Sequence, residues 1–168
     1  IHMTHKSLDP DARRPGYDMP LGREVAFDEF YNIRKERNIY ELPPLLTTLE
    51  VEEVEGGFSL HVKSEGYDRV PFQIACDFMP GGELDFDNGV IKGKVNETVL
   101  LKQGSATYHI GNDAISIGPG AYGHRFWQMR GSESAPNAFR VLTTFLTPVD
   151  HMLSIKCGIW SAANERIM

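Results

Sequence analysis

Cysteine, helical periodicity and long apolar runs are all scarce in this chain, and each scarcity closes off a class of protein. Two cysteines among 168 residues supply neither a disulfide framework nor a Cys-x-x-Cys metal spacing. No apolar run approaches the roughly 18 residues that a membrane-spanning helix needs, so a membrane protein is not expected. Basic residues are outnumbered, 17 against 23 acidic, for a formal net charge of −6. That balance repels polyphosphate, and no basic cluster suited to a nucleic-acid groove offsets it. Catalytic signatures are missing as well. There is no Gly-x-Ser-x-Gly elbow, and neither cysteine sits in an electropositive loop beside a histidine. No motif calls for a cofactor.

What remains is an ordinary globular composition, 41% hydrophobic and 24% charged, at the usual size of one domain. Residues 1–3 read as a recombinant remnant. Residues 4–45 read as an N-terminal arm, in which Pro10, Pro15 and Pro20 break up the chain. Within it, Ala26, Phe30, Ile33 and Arg37 recur at helical spacing and predict a short amphipathic helix over Glu24 to Tyr40, although Val25, Phe27 and Tyr31 also permit a strand. Pro43 and Pro44 end it.

From residue 46 to residue 160 the period becomes two. Leu49 and Val51 lead through Gly56-Gly57 into Phe58, Leu60 and Val62, and Asn88-Gly89 links Leu84 and Phe86 to the run starting at Val90. Both are hairpin signals. The run from Phe139 to Phe145 is apolar on both faces and is predicted to be central. About ten short strands separated by Gly, Asn and Asp turns, mostly in antiparallel hairpins, predict an all-β antiparallel sandwich of jelly-roll type. Residues 161–168 are a C-terminal tail. Cys76 and Cys157 both fall in step with apolar alternation and read as small core residues, a bridge between two core strands being the alternative. His61 and His109 fall on polar strand faces.

The stretch GSATYHIGNDAISIGPGAYGHRFWQMR, Gly104 to Arg130, holds the functional candidates. Gly118-Pro119-Gly120 is expected to break the chain away from the sheet, because proline lacks a donor and glycine permits positive φ. Beyond it come Tyr122, His124, Arg125, Trp127 and Arg130. Aromatic faces stack on the apolar faces of sugar rings, and guanidinium forks grip carboxylates or sulfates, so these five are the predicted ligand-binding residues. The alternative is that Trp127 covers a sheet edge and the arginines are simply solvated. No catalytic or metal-ligating residue is assigned. The stretch superficially resembles the second cupin motif, but Pro119 and Gly120 are adjacent and three residues separate Gly120 from His124, unlike the cupin spacing. The first motif, His-x-His followed by Glu, has no counterpart.

The order of hairpins from Leu45 to Trp160, with Gly111 to Ser132 carrying His124, Arg125 and Trp127, resembles the C-terminal β-sandwich region of heparinase II/III-type polysaccharide lyases. In that family an α/α toroid precedes the sheets and supplies most catalytic residues, and no toroid is present in this sequence. The resemblance therefore implies a noncatalytic accessory domain whose partner is an acidic polysaccharide or a catalytic domain of the same parent chain. A cupin-like metal-dependent enzyme and a small-molecule-binding β-barrel are the alternatives.

Overall fold

The computed structural model describes residues 2–7, 14–17, 24, 26, 28–29, 32–42, 45–66, 68–69, 71–86, 89–121, 123, 133, 135–161 and 166–167. In chain order, β1 (His2–Ser7) and β2 (Arg14–Tyr17) precede a 3-10 helix, Asn32–Glu36, and β3 (Ile39–Leu42) follows it. Next come β4 (Leu46–Val54), β5 (Gly57–Glu65), β6 (Pro71–Phe78), β7 (Glu83–Phe86) and β8 (Gly89–Lys92). The chain continues with β9 (Glu97–Leu101), β10 (Gln103–Ile110) and β11 (Asp113–Ala121), then β12 (Phe139–Leu146), β13 (Val149–Ser161) and β14 (Arg166–Ile167). The protein is all-β. Among the described residues no helix is long and apolar enough to cross a membrane.

The strands form a large sheet in the order β1-β4-β5-β13-β11-β10-β7-β8, with β14 on β13, and a small sheet in the order β6-β12-β9; β2 and β3 pair separately. Alternation explains how the two larger sheets meet. Leu84, Ala106, Tyr108 and Ile117 from the large sheet and Leu101, Phe139 and Val141 from the small one form one buried cluster. Val62 and Val149 meet Phe145 in a second. Each strand contributes every other side chain, which is the pattern of two sheets packed over one core. Tyr108 ties this core to the turn ahead of β7: its hydroxyl donates to the Met79 carbonyl at 2.5 Å and accepts from the Gly82 N–H at 2.9 Å.

The predicted central strand is β12. It has β6 antiparallel on one side and β9 parallel on the other. Leu142 and Thr144 on its second face are as buried as Val141 and Phe145 on its first. The parallel pair departs from the hairpin pattern because the chain leaves the small sheet after β9, forms the β10–β11 hairpin in the large sheet, and then returns.

Several expectations need correction. The helix over Glu24 to Tyr40 is reduced, in its described part, to a turn at Asp28–Glu29 and the 3-10 helix, while Ile39 and Tyr40 enter β3. Branched and aromatic residues weaken helix propensity, and a short helix nucleates poorly without a packed face. Both cysteines are free, and Cys157 is exposed. It lies on the row of β13 that carries Leu153, buried to 1%, and ends at Ile159, exposed to 58%. The alternation was read correctly, but the three-stranded sheet does not cover that end of the row. Cys76 is partly buried against the core, and burial raises its thiol pKa. His2–Ser7 pairs antiparallel with β4 along its whole length.

Candidate functional site

Tyr122, His124, Arg125, Trp127 and Arg130 lie outside the described residues. The two roots of their segment are described. At the first root the expected break at Gly118-Pro119-Gly120 does not occur, and β11 runs through these residues to Ala121. The opposite strand makes this possible. Gly104 pairs with Gly120 and Ala106 with Ile117, so that Ser105 alone faces Gly118 and Pro119 across a bulge. A bulge leaves a residue out of the hydrogen-bond ladder, and a proline placed there forfeits no bond. The Gly118–Pro119 peptide is cis. Glycine is required at Gly118, where φ is +138° and a Cβ would lie 2.6 Å from Ser105 Oγ.

The bulge is also held from β13. His151 of β13 packs against the Phe145 ring at 5.3 Å, and its Nε2 donates to the Pro119 carbonyl at 2.8 Å. Beyond β11, a Cβ on Gly123 would lie 2.7 Å from Gln103 Nε2. The start of the segment therefore leans on the β9–β10 corner, where Lys102 and Gln103 carry the chain from the small sheet to the large one.

The second root is fixed by Arg140 of β12. Its guanidinium grips Asp77 of β6 with two bonds, Nε–Oδ1 at 2.6 Å and Nη2–Oδ2 at 2.9 Å, and its Nη1 donates to the Glu133 carbonyl at 3.0 Å. Asn96 and Asn137 both adopt left-handed φ, which asparagine tolerates, and the Asn137 N–H donates to Asn96 Oδ1 at 2.9 Å. The Asn96 amide oxygen is thus engaged in a structural bond.

The Arg140 hydrogen bond holds the Asp77 carboxyl below its usual pKa. A depressed carboxylate pKa stabilises the fold above the unfolded value and ceases to do so as pH falls through the folded one. Asp77→Asn is therefore expected to be destabilising at about pH 7, with the difference from wild type shrinking at about pH 3. Urea denaturation of both proteins at the two pH values checks this, and a difference that is constant with pH would count against it.

Beside the first root, between residues of the two sheets, lies a cavity of about 430 Å³. Its apolar wall is formed by Leu84, Phe86, Ile91, Val99, Leu101 and Val141, and its polar part by Lys102, Gln103 and Ser105. Leu84, Leu101 and Val141 are buried, whereas Gln103 and Ser105 are exposed. The cavity sits at the corner where β9 pairs in the small sheet and β10 in the large sheet with only Lys102 between them. Sequence reasoning missed this site, since its residues carry no motif and come together only when the sheets close.

Elsewhere, the predicted polar-face histidines have specific partners. His61 Nε2 lies 2.6 Å from Asp150 Oδ1, and its Nδ1 lies 3.6 Å from Glu50 Oε2. The hydrogen bond to His61 lowers the Asp150 pKa. His109 stacks on Trp160 at 4.2 Å and 6°, spanning β11 where the intervening residue is the small Ala114, paired with His109 on one side and Gly158 on the other. His61, Asp150 and Glu50 contact one another, and no group of three or more His, Cys, Asp or Glu side chains placed to hold a metal ion occurs among the described residues. Comparisons of the chain with protein-family models, with curated proteins and with solved structures found no match.

Proposed function

We propose that this chain is a noncatalytic β-sandwich accessory domain of a carbohydrate-active enzyme of the polysaccharide-lyase kind, and that it binds an acidic glycan through the segment following β11. The observation that carries the reading is the tethering of both ends of that segment. His151 holds the Pro119 carbonyl at one end and Arg140 the Glu133 carbonyl at the other. Between these tethers the sequence concentrates Tyr122, His124, Arg125, Trp127 and Arg130. A segment whose two ends are fixed loses less freedom on binding than one whose ends are free, so its contacts convert more fully into affinity. The net charge of −6 opposes a polyanion at long range, and the local cations of this segment, with Lys102 at its root, are what would offset it.

Calorimetric titration with a uronate-rich or sulfated oligosaccharide tests the proposal. The wild type is expected to bind saturably and to weaken as salt is raised. Tyr122→Ala, Arg125→Ala and Trp127→Ala are each expected to lose about tenfold in affinity, equivalent to about 1.4 kcal/mol. No saturable heat with the folded wild type would remove the glycan assignment. A second reading, small-molecule binding by the β-fold, draws on the cavity at the β9–β10 corner.

A further inference from the structure

We infer that the cavity at the β9–β10 corner is a binding site for a small carboxylate with an unbranched apolar tail of about eight to ten carbons. The composition of the lining selects this class. Leu84, Ile91, Val99, Leu101 and Val141 are aliphatic, and Phe86 is the single aromatic residue. A wall made mostly of branched aliphatic side chains gives an alkyl chain close contact and gives a sugar ring one flat partner at most, Phe86. Hydroxyl groups pressed against it would lose their hydrogen bonds to water without replacement.

The polar part of the lining sets the other end of the ligand. Lys102 is the one charged residue there and no acidic residue is present, so an anionic head meets attraction and no like charge. Gln103 and Ser105 add hydrogen-bond donors beside it. A carboxylate at this corner would remain partly hydrated, since Gln103, Gly104 and Ser105 are exposed, and it avoids the cost of burying a bare charge. Size fixes the tail. At about 30 Å³ for each water-sized group, the 430 Å³ cavity has room for about fourteen non-hydrogen atoms, which accommodates octanoate (about ten) and decanoate (about twelve). The site shares Lys102 and Gln103 with the glycan reading, but its apolar wall is separate from the segment beyond Ala121, and dependence of affinity on tail length distinguishes the two.

Titration calorimetry of the whole chain with butanoate, hexanoate, octanoate and decanoate, each below its micellar concentration, tests the site. Saturable one-to-one binding is expected, strengthening about fourfold for each methylene added between hexanoate and decanoate, the factor corresponding to burial of one CH₂. Lys102→Gln is expected to weaken octanoate about tenfold and to leave octanol binding unchanged. Ile91→Trp, which fills the cavity from the edge hairpin, is expected to abolish both; should that variant fail to fold, the Lys102 comparison still decides. Absence of saturable binding by octanoate and decanoate at millimolar concentration overturns the inference. So does an affinity that is independent of tail length, or one for octanoate that Lys102→Gln does not change.

Discussion

Gly57→Ala is expected to cost more than about 4 kcal/mol and to leave little folded protein, because its new Cβ would lie 1.9 Å from the Ile155 carbonyl oxygen. That oxygen belongs to the backbone of β13 and cannot swing aside. Gly57 pairs with Val54 of β4 and with Lys156 of β13, so relief requires β5 and β13 to separate in the middle of the large sheet. Native stability is typically about 5–15 kcal/mol, and a defect of this size removes much of it. The neighbouring Gly56 gives the contrast. Its φ is +75°, but a Cβ there would be 3.9 Å from the Cys157 oxygen, an ordinary contact. Gly56→Ala is expected to cost only the left-handed penalty, about 1–2 kcal/mol. Denaturant midpoints of the two variants separate collision from conformation. A Gly57→Ala protein within about 1 kcal/mol of wild type would show that the β5–β13 register is wrong.

Phe139→Ala is expected to destabilise by about 3–5 kcal/mol through loss of the contact that joins the sheets. Phe139 is fully buried and stacks on Tyr108 with ring centroids 5.4 Å apart, while Phe78 lies against the other ring of that pair at 4.8 Å. Alanine would leave a void in the largest buried cluster and strip Tyr108 of one neighbour, with its hydroxyl still held by Met79 and Gly82. Such fixed surroundings cannot collapse into the space, which places the cost toward the upper part of the range. Met79→Ala, at a side chain 78% exposed, is expected to stay within about 0.5 kcal/mol of wild type. Thermal and urea unfolding of the pair check the prediction; equal effects at the two positions would contradict this core.

These residues also show what could be read from the sequence. The hairpins were legible because their signals are local. Gly56-Gly57 joins two alternating runs, and Asn88-Gly89 marks the β7–β8 hairpin, although Gly89 itself pairs with Phe86 and so belongs to β8 and not to the turn. The central position of β12 was legible from apolar residues on both its faces. Its parallel partner β9 was not, since that pairing depends on a hairpin passing through the opposite sheet. At Pro119 a sound local rule failed, because the missing donor falls opposite a bulge whose residues, Gly104 and Ser105, lie in another strand. The exposure of Cys157 depended on how far the small sheet extends, which no alternation encodes. As for the candidate site, the sequence singled out the aromatic and basic side chains beyond Ala121. It gave no sign of His151 and Arg140, which hold the Pro119 and Glu133 carbonyls, or of the Lys102–Gln103 corner, since these act through backbone carbonyls and across distant strands. The pairing of His109 with Trp160 was equally silent, although the small residues Ala114 and Gly158 between them were a usable hint.

The central claim, recognition of an acidic glycan at the end of the sandwich where β11 terminates, is tested most directly by amide correlation spectra recorded while an acidic oligosaccharide is added to the whole chain. The account predicts saturable shifts concentrated at Lys102, Gln103, Ala121 and Gly123, with signals of the opposite end, around Gly56 and Asn112, unmoved. Spectra that do not change at saturating oligosaccharide, or shifts centred on that opposite end, would contradict it.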